Sequence, residues 1–119
     1  MKIRLLLILF VLGQINILAW PGKILYVKDG DTFEVQRIKG KEVTIRLYGV
    51  DTPEKNQEHG KKATKYVKDL LEDKKVDINK IEEGYYGRTI AIVNYNGKNL
   101  NKKLVKNGHA WVYDRYCKK

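Results

Sequence analysis

The chain has 119 residues, of which 43% are hydrophobic and 32% charged, and its formal net charge is +10. This length predicts one domain, and the composition is that of an ordinary globular protein, not of a repeat or low-complexity chain. The single cysteine, Cys117, excludes a fold that depends on an internal disulfide. The excess of basic residues favours a polyanionic partner such as nucleic acid, an anionic membrane or cell wall, although lysine can also serve solubility alone.

The first residues differ in composition from the rest of the chain. Lys2 and Arg4 precede a run over residues 5–19 that is broken only by Gly13, Gln14 and Asn16. A basic start, a short apolar stretch and a small residue at its end are typical of a secretory signal peptide. An uncleaved anchor is the alternative, but fifteen helical residues are shorter than the ~30 Å hydrocarbon core. We therefore predict a signal peptide over residues 1–19 and a secreted or periplasmic mature chain without an integral membrane span.

Residues 20–119 are predicted to form a single domain. They contain 22 basic and 14 acidic residues, a net charge of +8. Strands are predicted over residues 22–28, 32–38 and 42–48, with turns at 29–31 and 39–41. In the third strand Val43, Ile45 and Leu47 alternate with polar residues, so Arg46 is expected on the polar side of a buried strand.

The second half of the domain alternates helix and strand. After a loop over 49–60, the apolar spacing predicts a helix over 61–72, and lysines fill its other face. Strands are predicted over 75–82 and 88–94, a second helix over 99–107 that ends at Gly108, and a short strand over 110–113. This order predicts a mainly β fold: a five-stranded Greek-key barrel of OB type with two attached helices.

Three carboxylates are candidates for a metal site. Asp31 lies between a turn and a strand, and Asp51 and Glu54 lie in the loop after the next strand of the same hairpin. Neighbouring strand ends lie close in space, so these side chains can converge. Oxygen ligands of this kind suit a hard divalent cation, Ca²⁺ or Mg²⁺.

Two arginines add the chemistry that a phosphodiester requires. Arg46 precedes the acidic loop and Arg88 begins a later strand, and guanidinium groups match the charge that develops on phosphoryl oxygens. Glu54 is the candidate that could activate a water molecule. Taken one at a time, each acid is better explained as a turn residue and each arginine as a surface or ion-paired residue. Together they indicate a metal-assisted site for a polyanion.

Three segments resemble the hallmark segments of the staphylococcal nuclease (thermonuclease) family. They are DGDT at 29–32, IRLYGVDTPE at 45–54 and YGR at 86–88, and the likeness extends over residues 22–117. The resemblance implies an OB-fold barrel and a Ca²⁺-dependent nuclease that acts on DNA and RNA and leaves 3′-phosphates. We expect the mature protein to be a monomer. Family members usually continue into a further C-terminal helix, which is expected to be missing here.

The resemblance also implies a role for each matching residue. Asp31 and Asp51 would bind Ca²⁺ through their carboxylates and Thr52 through its backbone carbonyl. Arg46 and Arg88 would stabilise the transition state, and Glu54 would act as general base. Tyr86 would lie near the substrate, together with Tyr85, which replaces the basic residue usual at that position and could stack on a base.

Other readings of the sequence remain open. An OB-fold module that binds nucleic acid without cutting it is the main alternative, and a cell-surface protein that binds anionic polymers by charge is another. His109 follows a lysine-rich helix and has no acidic neighbours, which disfavours a catalytic histidine. One cysteine and the two scattered histidines, His59 and His109, lack the ligand spacing of a zinc site. Lys102, Lys103 and Lys106 form a solvated helix face that could also contact phosphates.

Overall fold

The computed structural model describes residues 19–112. The predicted signal peptide, apart from Ala19, and the proposed absence of a C-terminal helix concern residues outside this range. Among the described residues, no helix is both long and apolar enough to cross a membrane.

Within residues 19–112, the structure contains eight strands, two helices and one 3₁₀ turn. In order they are β1 (Ala19–Asp29), β2 (Thr32–Arg37), β3 (Glu42–Leu47), β4 (Val50–Asp51), α1 (Glu58–Leu71), β5 (Lys75–Glu83), the 3₁₀ turn (Tyr85–Gly87), β6 (Thr89–Tyr95), β7 (Lys98–Asn99), α2 (Leu100–Lys106) and β8 (Trp111–Val112).

Five strands close into a barrel. The antiparallel pairs β3–β2, β2–β1, β1–β5 and β5–β6 form the sheet, and a parallel pairing of β3 with β6 joins its two ends. The closing register places Arg46 opposite Ile90. The predicted five-stranded OB-type barrel with two helices is therefore confirmed, and closure gives each of the five strands a partner on both sides over part of its length.

Alternating apolar residues of the strands fill the barrel. Phe33 and Val35 of β2 and Ile45 and Leu47 of β3 are buried, as the period-two pattern predicts. Helix α1 covers one end with Ala63, Val67 and Leu71, and α2 adds Leu100 and Leu104; these five are also buried. The amphipathic faces of both helices are thus confirmed.

The predicted boundaries need three corrections around the 49–60 loop and the second helix. Helix α1 begins at Glu58 and not at residue 61, and Val50–Asp51 form strand β4, paired with Trp111–Val112 of β8. A further two-residue strand, β7, precedes α2. Strands this short carry no alternation, so only their pairing partners define them.

Asparagine caps the start of the second helix and glycine follows its end, as expected from capping chemistry. The Asn99 side chain accepts a hydrogen bond from the Lys102 backbone N–H at the start of α2. Gly108 has a positive φ of 78°, which confirms its predicted role after the last turn.

Candidate active site

One polar cleft of about 410 Å³ opens where β1, β3 and the loop after β4 meet the 3₁₀ turn. It brings together seven of the eight predicted site residues. Its lining consists of Asp29, Asp31, Thr32, Arg46, Leu47, Val50, Asp51, Thr52, Pro53, Glu54, Tyr85, Arg88 and Ile90.

Asp31 is held rigidly at the base of the cleft. It is 7% exposed, and its two carboxylate oxygens accept hydrogen bonds from the Thr32 hydroxyl at 2.9 Å and the Thr52 backbone N–H at 3.0 Å. Its backbone carbonyl accepts from the Leu47 N–H at 2.9 Å. Hydrogen bonds therefore hold both the side chain and the backbone carbonyl of Asp31 in place.

Arg46 connects the two acidic segments. Its Nη2 donates to Asp51 Oδ1 at 2.9 Å, and its Nη1 lies 3.6 Å from Asp31 Oδ2. Nη1 also donates to the carbonyl oxygens of Leu47 at 2.9 Å and Val50 at 2.7 Å. The guanidinium group is therefore fixed by the backbone that follows its own strand, as expected for the rigid donor fork of arginine.

Asp51 lies closer to solvent, with a side chain 35% exposed. Its pKa is raised above the usual value of 3.8, first because burial disfavours the charged form and then because Asp31 and Glu54 are negative. Arg46 acts in the opposite direction and lowers the pKa of Asp51. The site is thus a carboxylate cluster that one guanidinium group compensates only in part.

The Thr52 backbone N–H donates a hydrogen bond to the Asp31 carboxylate, and the residue is 9% exposed. Its hydroxyl oxygen is buried and has no hydrogen-bond partner in the described part of the chain. The residue therefore contributes to the cleft through its main chain and through a polar atom that is free to accept another donor.

Glu54 and Arg88 approach the cleft from opposite sides. Glu54 lies in the exposed loop before α1, where its carbonyl accepts a hydrogen bond from the Gln57 N–H at 3.0 Å. Arg88 follows the 3₁₀ turn, and its Nε–H is buried without an acceptor among residues 19–112. A buried donor without an acceptor is costly, and an anion in the cleft would supply one.

The two tyrosines before Arg88 differ in position. Tyr85 lines the cleft and is 74% exposed, whereas Tyr86 is 97% exposed and does not line it. Tyr86 has a φ of 61°, the left-handed region that few non-glycine residues adopt. This backbone turn directs the chain back toward Arg88 and leaves Tyr86 outside the cleft.

Asp31, Asp51 and Glu54 line the same cleft, as expected for side chains that can converge there. Within residues 19–112, no group of three His, Cys, Asp or Glu side chains has the arrangement of a metal site. Glu54 follows Pro53 in the exposed loop before α1. A cation at this site would have to rely on two carboxylates, backbone carbonyl oxygen and water.

Sequence reasoning missed two residues that position the site. Gly60 is buried in α1 against the backbone of Glu54, and Asn101 of α2 is 4% exposed. The Asn101 amide donates to the carbonyls of Tyr48 and Ala91 and accepts from the Val93 N–H. Neither has a local signature, because both act through contacts with distant segments. His59 and His109 do not line this cleft.

Comparison with known proteins agrees with this arrangement. The model of the staphylococcal nuclease homologue family matches residues 44–119. A protein of Haemophilus influenzae named an uncharacterized endonuclease is 36% identical over 112 residues, which are 94% of this chain and 63% of that protein. A protein of Escherichia coli O157:H7 with the same name is 38% identical over 108 residues, or 84% of this chain and 70% of that protein.

A thermonuclease of Staphylococcus hyicus is also similar. It is 40% identical over 96 residues, which are 74% of this chain and 56% of that protein. The chain thus spans between about half and about two thirds of the length of these relatives. The matched residues include β3, the acidic loop and Arg88, and the chain belongs to the staphylococcal nuclease homologue family.

Proposed function

We propose that this protein is a Ca²⁺-dependent nuclease that hydrolyses phosphodiester bonds in DNA and RNA. The observation that carries the proposal is a single cleft lined by Asp31, Arg46, Asp51, Glu54 and Arg88. Relatives named endonuclease and thermonuclease support the same reaction class.

The charge balance of the cleft supports a divalent cation. Four carboxylates line it, those of Asp29, Asp31, Asp51 and Glu54, against only two guanidinium groups. Such a cleft would repel a polyanion unless a cation compensated it. Carboxylate and carbonyl oxygens are the ligands that Ca²⁺ prefers. Asp31, Asp51 and the Thr52 carbonyl would hold the ion, which would supply positive charge for the developing phosphoryl oxygens.

The two arginines are placed for the phosphate itself. Arg46 is immobilised by carbonyl and carboxylate oxygens, and Arg88 carries a buried Nε–H in need of an acceptor. Donors fixed in advance stabilise charge that appears only in the transition state. In the proposed reaction both therefore bind the phosphoryl group, and Tyr85 at the cleft rim stacks on a neighbouring base. Tyr86 would contact the substrate from outside the cleft.

Glu54 is the proposed general base. Its position at the exposed rim leaves it free to face water, while Asp31 is committed to two hydrogen bonds. Glu54 would accept a proton from the attacking water molecule while the oxygen of that water forms a bond to phosphorus. The bond from phosphorus to the 5′ oxygen breaks, so the phosphate stays on the 3′ side.

The test is digestion of plasmid DNA and of RNA by the full chain with Ca²⁺ and with EGTA. We expect internal cleavage of both polymers that requires Ca²⁺ and yields 3′-phosphate ends, identified by mass spectrometry. Folded protein that binds DNA but does not cut it under any of these conditions would contradict the proposal and indicate a binding module.

We further propose that residues 1–19 are removed and that residues 20–119 are secreted as a monomer. Cleavage after Ala19 would spare nearly all of β1, whose pairing with β5 runs from Ala19 to Lys23. Expression in a bacterial host followed by N-terminal sequencing of extracellular and periplasmic protein tests this. A chain that retains Met1 in the membrane fraction would indicate the anchor instead.

A further inference from the structure

A second cleft lies beside the active site, along helix α1. It has a volume of about 650 Å³, and four lysines contribute to its lining: Lys55, Lys61, Lys65 and Lys68. All four are exposed, and the buried Thr64 lines the cleft between them. We refer to this surface as the lysine groove.

The lysine groove adjoins the active-site cleft. Glu54 is in the lining of both. A linear polymer held in the active-site cleft would therefore have the groove beside it.

Three of the lysines share one face of α1. Lys61, Lys65 and Lys68 follow each other at spacings of four and three residues, which place them in one row. The row is about 10 Å long at the rise of an α-helix, the axial span of about three phosphates on one strand. Its length thus fits a short stretch of nucleic-acid backbone.

The charge of the row is mostly uncompensated. Lys65 is paired with Asp69 at 2.6 Å, but this pair is exposed on both sides. Among the described residues, Lys55, Lys61 and Lys68 form no ion pair. The groove is therefore positive where the active-site cleft is negative. A phosphate backbone would be attracted to the groove, and one such polymer already has to enter the neighbouring cleft.

We propose that the lysine groove is an extended subsite that binds the phosphate backbone of the nucleic-acid strand on one side of the bond to be cut. The inference rests on the proposed nuclease function, because it concerns how the substrate of that site is held. It implies that long strands are preferred over substrates with a single phosphodiester bond. The preference is electrostatic and weakens as salt rises.

The test compares the triple variant Lys61→Gln/Lys65→Gln/Lys68→Gln with a control that removes the same number of charges, Lys62→Gln/Lys75→Gln/Lys98→Gln. These three control lysines are exposed and do not line the groove: Lys62 lies on the same helix, Lys75 begins β5 and Lys98 begins β7. Glutamine keeps the helix propensity of lysine, so thermal unfolding should be similar for all three proteins. kcat/KM is measured with Ca²⁺ on a 20-nucleotide single strand and on a dinucleotide.

We expect the ratio of kcat/KM for the long and short substrates to fall about tenfold in the triple variant and to stay constant in the control. In a Glu54→Gln background with Ca²⁺, affinity for the same strand is measured against salt. The slope of log K against log salt is negative, and its magnitude should fall by about 2, because about three phosphate contacts of about 0.7 each are lost.

Two results would overturn the inference. One is a ratio and a salt slope that are the same in the triple variant and the control. The other is a loss of binding to phosphatidylglycerol vesicles while strand binding is unchanged, which would assign the groove to membranes. If the wild-type chain cleaves nothing, the proposed function fails, yet the binding measurement still decides whether the groove holds a strand.

Discussion

Gly60 lies directly against Glu54: a Cβ atom added at Gly60 would be 1.6 Å from the Glu54 carbonyl oxygen and 2.4 Å from its carbonyl carbon. Any other residue must therefore displace either the first turn of α1 or the loop that carries Glu54, the proposed general base. This contact makes Gly60 a positioning residue for Glu54.

We predict that Gly60→Ala lowers kcat about 100-fold, because a shift of about 1 Å in a catalytic group costs that much. The variant should also lose stability, since the clash is with backbone and not with a flexible side chain. Gly40→Ala is the control: its nearest contact is the Arg37 side chain at 3.0 Å in an exposed hairpin. Equal activity of the two variants in a Ca²⁺-dependent cleavage assay would refute the role given to Gly60.

Glu54→Gln tests the general base itself. The amide keeps the shape of the side chain but cannot accept the proton from water, so we expect kcat to fall about 10²–10⁴-fold. KM should change little, because Glu54 does not bind the phosphate in this mechanism. Glu58→Gln serves as control, since Glu58 is a nearby exposed acid on the first turn of α1 that does not line the cleft. A Glu54→Gln variant with wild-type kcat would remove this residue from the mechanism.

Substitutions of the two arginines should differ in how much Ca²⁺ restores the stability of the variant. Replacing either by methionine removes a donor to the phosphoryl group and should cost about 10²–10³ in kcat. Only Arg46→Met also removes the counter-charge of Asp31 and Asp51, so it should be less stable than Arg88→Met in EGTA. Ca²⁺ should restore much of this loss, because an ion bound only by the folded state stabilises it.

Thermal unfolding with EGTA and with increasing Ca²⁺ measures this difference. Arg37→Met is a control for loss of a cation, as Arg37 lies over the Trp20 ring and away from the cleft. If Ca²⁺ raised the midpoint of Arg46→Met no more than that of the control, Asp31 and Asp51 would not be the ligands.

The barrel and most of the site follow from local patterns. The strict alternation of β3 predicts that Ile45 and Leu47 are buried and that Arg46 points to the opposite side, and the structure has this arrangement. The turn before β2 and the loop after β3 belong to one hairpin, which explains why Asp31 and Asp51 meet. Such features depend on neighbours in sequence or in one hairpin.

The remaining features depend on distant contacts, which no local pattern encodes. Strand β4 exists because Val50 pairs with Val112, some sixty residues later. Gly60 carries no turn signal, and its need for glycine arises only when α1 packs on the Glu54 carbonyl. The position of Tyr86 outside the cleft follows from a positive φ that the surrounding sequence does not announce.

The raised pKa of Asp51 predicts how stability depends on pH when no metal is bound. Folded protein takes up the Asp51 proton at a higher pH than unfolded protein, whose value is near 3.8, so this group lowers stability as pH rises through that interval. Asp51→Asn lacks the titration. In EGTA, the variant should therefore be more stable relative to wild type at pH 7 than at pH 3, that is, its free energy of unfolding minus that of wild type should be larger at pH 7.

Urea unfolding at a series of pH values gives this comparison. Asp69→Asn is the control, because Asp69 is an exposed acid of α1 that lies outside the cleft and pairs with Lys65. A stability difference between Asp51→Asn and wild type that moves in the opposite direction with pH would show that Arg46 outweighs burial and the neighbouring carboxylates.

Replacing the buried Asn101 should lower the stability of the fold more than most substitutions outside the cleft. Its side chain accepts from the Val93 N–H at 3.1 Å and donates to the Tyr48 carbonyl at 2.9 Å, which ties α2 to β6 and to the end of β3. Asn101→Leu removes these bonds and leaves the buried Val93 N–H without its acceptor. An unsatisfied buried group costs about 1–3 kcal/mol, so we expect a total loss of about 2–4 kcal/mol.

For a domain of about 100 residues this loss corresponds to a decrease of about 10–20 °C in the unfolding midpoint. Asn107→Leu is the matched control, because its exposed amide donates only to the Tyr66 hydroxyl and should cost about 0.5 kcal/mol or less. Calorimetry of both variants measures the difference. Because the Tyr48 carbonyl lies between Arg46 and the acidic loop, Asn101→Leu should also reduce cleavage below its melting range; unchanged activity and midpoint would show that α2 does not brace the site.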